Sequence, residues 1–125
     1  MKHWNVVDPH EVAGGLDGFR EYVQHSRGEF SVAKQGYIKS RSGWFSDRTA
    51  CYLASGRPAL VQDTGANVPA GKGLLKFSTE REAVDGLEII NADYAGHCAA
   101  ARKLAEEKFS APTVLQSILE RAGVL

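Results

Sequence analysis

The 125-residue chain lacks several features that would announce a function class. Its two cysteines, Cys51 and Cys98, form no C-x-x-C pair, so they supply neither a disulfide framework nor a redox motif. Both fall in helical patterns and read as small buried hydrophobes of a reducing cytoplasm. The four histidines, at 3, 10, 25 and 97, show no metal-ligand spacing. Fifteen basic and fifteen acidic residues cancel, so the chain has no net charge to hold a polyanion such as nucleic acid. No apolar run approaches the roughly 20 residues that a membrane-spanning helix needs. The opening "MKHWNVVDPHE" has no signal-peptide core. Repeats and low-complexity segments are absent as well. The sequence therefore implies one cytoplasmic globular domain, with 43% apolar and 24% charged residues.

What is present is an alternation of short apolar runs with helical patterns, the signature of β-α units on a parallel sheet. "HWNVVD" is the expected first strand, halted by Pro9 and Gly14-Gly15. Leu16, Phe19, Tyr22 and Val23 then recur at helical spacing to about His25. "EFSVAK" is the expected second strand, with Phe30 and Val32 on one face, and "QGYIKSRSG" an expected loop. Ala50, Cys51, Leu53 and Ala54 form the buried stripe of the next helix, which Gly56 caps in the left-handed conformation and Pro58 ends. "ALVQDT" and "GLLKFS" are the third and fourth strands.

The last third is helical. Thr79 and Glu82 fit a capping box, Asn91 to Asp93 interrupt the run, and Ser110 with Pro112 opens a final helix whose Val114, Leu115, Ile118 and Leu119 are expected to face inward. The expected fold is a Rossmann-like three-layer α/β domain of about four mainly parallel strands flanked by helices, with a long helical C-terminus.

"SGWFSDRTACYLASGRP" places two aromatics, a hydroxyl and an acid–base pair at a helix start. Ligands of parallel sheets bind beyond the carboxyl ends of strands, and a helix start offers free N–H groups to phosphate. On this reading Ser46 is the N-cap, Gly43 allows close backbone approach, Arg48 or Arg41 meets phosphate, and Trp44 or Phe45 offers a flat face to a base or sugar. On the plainer reading the aromatics are core, Ser46 only caps and Asp47 only complements the helix dipole.

From Phe30 onward the chain resembles the nucleotide-binding half of GT-B glycosyltransferases, about three quarters of its length. The segments that carry the resemblance are "SGWFSDRTACYLASGRP", "ALVQDTG", "GKGLLKF" and "EREAVDGLEIINADYAGHCAAARKLAEEKFS". The resemblance implies a nucleotide- or phosphate-binding role for Gly43, Trp44, Ser46 and Asp47, and for Asp63, Thr64 and Gly65 in the turn nearby; the helix-start reading adds Arg48 to this set. Many retaining members carry two glutamates where this chain has Gly43 and Cys51. The second of these usually holds the ribose.

The implied partners are a nucleoside-diphosphate sugar and an acceptor domain. The chain is expected to be a truncated glycosyltransferase portion, inactive alone, with no catalytic residue, metal or cofactor assigned. A homodimer is expected to fill the sheet edge left by two absent strands. The competing readings are a non-enzymatic α/β module used for self-association or protein interaction and, more weakly, a receiver-like or flavin-binding domain.

Overall fold

A computed structural model of the chain describes residues 4–125. Its elements run α1 (Pro9–Ala13), α2 (Leu16–His25), β1 (Glu29–Ser31), α3 (Gln35–Lys39), α4 (Asp47–Ala54), β2 (Ala59–Gln62), β3 (Leu74–Phe77), α5 (Glu80–Ala92), α6 (Tyr94–Lys108) and α7 (Ala111–Arg121). The three strands form one parallel sheet in the order β1-β2-β3, with Phe30 beside Leu60 and Leu60 beside Leu75.

Side-chain alternation divides the core into two halves. Ala59 and Leu74 point to one face, where Leu53 of α4 and Ala101 and Ala105 of α6 close over them. Leu60 and Phe77 point to the other, against Ala83 and Ile90 of α5. The result is the expected three layers, α4 and α6 on one side and α5 on the other. A Cβ on Gly73, at φ 95°, would lie 2.4 Å from the Ala101 backbone nitrogen, so a glycine here lets β3 begin hard against α6. The capping box holds as expected: Thr79 Oγ1 accepts from Glu82 N–H at 3.2 Å and Glu82 returns a carboxylate to Thr79 N–H at 3.3 Å. Asp93 breaks the helical run and caps α6 through Gly96 N–H.

The sheet has three strands among the described residues, not four. "HWNVVD" forms no strand: residues 4–8 join no strand ladder among the described residues, and His3 lies outside them. Asp8 caps α1 through His10 N–H at 2.8 Å and Pro9 occupies the first helical turn, so the signal taken for a strand end is a helix start. "QGYIKSRSG" contains the single-turn helix α3, too short to show a helical period.

The buried stripe of α4 is Thr49, Tyr52 and Leu53: of the expected residues Cys51 and Ala54 are exposed and Ala50 is half-buried, as is Cys98 on α6. The apolar residues of α7 do not face inward: Leu115 and Ile118 stay 57% and 55% exposed, and the helix buries no residue. No described helix is long and apolar enough to cross a membrane.

Candidate functional site

Beyond the carboxyl ends of β1 and β2, a cleft of about 340 Å³ opens before the first turn of α4. Its walls include Ser31, Lys34, Tyr37, Trp44, Ser46, Arg48, Thr49, Gln62 and Thr64. This is where a parallel sheet places ligands, because the strands end there and the loops diverge.

Two hydrogen bonds hold the loop in front of α4. Gly43 N–H donates to Thr64 O at 2.9 Å, and Thr64 Oγ1–H donates to Trp44 O at 2.6 Å. Thr64 is buried, so the loop is fastened to the end of β2 by a group that water does not compete for. Gly43 has φ 74°, a left-handed conformation that side chains rarely take.

Ser46 is the N-cap of α4, as the sequence predicts. Its Oγ accepts from Arg48 N–H at 3.2 Å, and Asp47 Oδ1 accepts from the same N–H at 2.8 Å. The helix therefore brings its own acceptors to its first turn.

The two loop aromatics divide their work. Phe45 stacks on Phe109 with ring centroids 5.2 Å apart and packs against the α4–α6 core, so it belongs to the core. Trp44 stacks on Tyr37 of α3 at 5.1 Å, stays half exposed and forms a wall of the cleft.

Arg48 is not a free phosphate ligand. Its Nε donates to Glu29 Oε1 and its Nη2 to Ser31 Oγ, both at 2.8 Å, which ties α4 to β1. Glu29 is buried beneath it, and its second oxygen, Oε2, has no hydrogen-bond partner. Half of the Arg48 side chain is exposed, with Nη1 and one Nη2 hydrogen left for a ligand in the cleft.

Asp63 and Gly65 form a neighbouring turn rather than a wall. Gly65 N–H donates to Asp63 Oδ1 at 3.0 Å, and Arg41 lies 3.5 Å from Asp63 Oδ2. The Gly65 hydrogen bond holds the Asp63 carboxyl below its usual 3.8 against partial burial, and the charges of Arg41 and Lys76 assist. Arg41 is thereby engaged across the turn.

Of the eight sequence-derived residues, the structure brings Trp44, Ser46, Arg48 and Thr64 to the cleft. Gly43, Asp47, Asp63 and Gly65 do not line it. Sequence reasoning missed Glu29, Ser31, Lys34, Tyr37 and Gln62. No local pattern marks them: Lys34 and Tyr37 come to the opening through the single turn of α3, and Gln62 through the end of β2. No carboxylate or imidazole lines the cleft among the described residues. No protein-family model, no curated protein and no solved structure matches the chain.

Proposed function

We propose that the chain is the donor-nucleotide portion of a GT-B glycosyltransferase of the reducing cytoplasm, with the diphosphate of a nucleoside-diphosphate sugar seated in the cleft before α4. One observation carries the reading: the Gly43–Trp44 backbone is pinned to Thr64, so the capped start of α4 faces an open cleft at the strand ends. Phosphate oxygens there meet the positive end of the helix, the remaining N–H groups of Arg48 and the Lys34 ammonium. The exposed face of Trp44, backed by Tyr37, suits a flat ring.

The chain binds but does not transfer sugar by itself. An acceptor domain is needed to orient an acceptor hydroxyl and exclude water. Asp47 at the helix start opposes the phosphate charge, and Cys51 stands where a ribose-binding glutamate would be, so affinity is weak. Isothermal calorimetry with uridine, adenosine and guanosine diphosphates tests this. Binding in the high-micromolar to millimolar range, lost in Trp44→Ala, supports the reading. Binding that survives that substitution unchanged counts against it.

A further inference from the structure

β1 ends the sheet, and among the described residues no strand pairs with its outer edge. The parallel ladder turns the backbone groups of Glu29 and Ser31 toward β2, as Glu29 N–H to Pro58 O at 3.0 Å shows. The N–H and C=O of Phe30, and of Val32 just past the strand, consequently face away from the sheet. The charged residues at the start of this short strand are drawn away from the edge: Glu29 is folded under Arg48, and Arg27 lies over the Tyr94 ring and against Asn91.

Beside the edge runs an apolar groove of about 700 Å³, lined by Trp4, Phe30, Val32, Phe77, Val84 and Leu87 among others. Phe30 stacks on Phe77 at 5.4 Å yet stays 43% exposed, and Val32 is 67% exposed.

We propose that this edge is the seam of a homodimer, in which two β1 strands pair antiparallel about a two-fold axis at Phe30 and join two three-stranded sheets into one of six. The strand is complementary to itself. Phe30 meets its own copy and exchanges two hydrogen bonds with it, and Val32 falls opposite Gly28, which has no side chain to obstruct it. Phe30 and Val32 of both copies then close the two grooves against each other.

The exposed parts of Trp4, Phe30, Val32, Val84 and Leu87 amount to on the order of 500 Å² per chain. Complete cover of both patches would bury about 1,000 Å², the lower limit of a specific interface. A dimer that forms only at high concentration is the result. This inference requires no nucleotide, although Val32 and Gln62 line both this groove and the cleft before α4.

Sedimentation of the full chain from about 10 µM to about 1 mM tests it. The weight-average mass should rise from 13.6 kDa toward twice that value, and the Phe30 and Val32 amides should become protected from exchange as it does. Phe30→Lys disturbs the Phe77 stack and risks the fold, so the informative variant is Val32→Lys. It should weaken association about tenfold or more while leaving the circular dichroism spectrum and Tm unchanged. Leu115→Lys on α7 should leave association as it is. A mass fixed at 13.6 kDa up to the highest concentration overturns the proposal. So does association that Val32→Lys spares, or that Leu115→Lys abolishes.

Discussion

His97 shows how one side chain can carry a pH dependence that charge counting does not reveal. It is buried on α6, and its Nδ1 accepts from Gly73 N–H at 3.0 Å, which requires the neutral ring with its proton on Nε2. Burial first, and the Lys72 ammonium second, hold its pKa below the usual 6.5 against the attraction of Asp93. The unfolded chain therefore binds the proton more readily than the folded one. The stabilisation from neutral His97 is fully present above about 6.5 and declines as pH falls below it. Tm should drop between pH 7.5 and pH 5, and His97→Asn, which keeps an acceptor in reach of Gly73, should flatten that slope. Asp63 and Asp93 are both held below 3.8, so they keep their charge across the window. At Arg48, Arg48→Ala would leave the Glu29 carboxylate buried with both oxygens unpartnered, and should cost about 2 kcal/mol, discounted for the half-exposed guanidinium. A double-mutant cycle with Glu29→Gln, read by urea unfolding, should recover most of that loss. Simple additivity of the two substitutions would mean that the pair is not coupled. Neither His97 nor Glu29 stood out in the sequence, because a histidine inside an alanine-rich helix and a glutamate at a strand start are ordinary. Only the approach of a distant backbone or side chain makes them special.

Elements were legible in the sequence where a cap or a period marked them. The α2 boundaries, the Ser46 start of α4, the Thr79–Glu82 box and the break at Asp93 all rest on local hydrogen bonds among neighbours in the chain, which local sequence can specify. Strand membership is not local. Trp4, Val6 and Val7 have strand-like chemistry, yet only a partner could make them a strand, and Asp8–Pro9 commits the next residues to a helix. The apolar pattern of α7 likewise describes a face without saying whether anything covers it. With eleven residues, no buried side chain and only slight contact with α6, α7 is marginal by itself. Its amides should exchange among the fastest of all the helices in hydrogen-exchange mass spectrometry, while β2 exchanges slowest. Protection of α7 equal to that of α6 would show that it packs more firmly than its exposure indicates. Gly73→Ala tests the opposite extreme. The added carbon meets the Ala100 and Ala101 backbone, and φ 95° is strained for alanine, so the loss should reach about 3 kcal/mol or more in thermal unfolding.

At the scale of the whole molecule, a three-stranded parallel sheet with helices on both faces leaves its outer strand edges unpaired among the described residues and a cleft open at the strand ends. The cleft was anticipated because the rule that places it depends only on strand direction and on a helix start with the right cap. Its far wall was not, since Lys34 and Tyr37 reach it through a turn with no sequence period. The central claim is that this cleft holds the diphosphate of a nucleotide. The most direct measurement is a titration of isotope-labelled protein with nucleoside diphosphates, followed at each backbone amide. The account predicts concentration-dependent shifts that centre on Gly43, Trp44, Ser46 and Thr64 and saturate with a binding free energy on the order of 4–6 kcal/mol. Spectra that do not move at millimolar ligand, or shifts that centre on α7 instead, would contradict it.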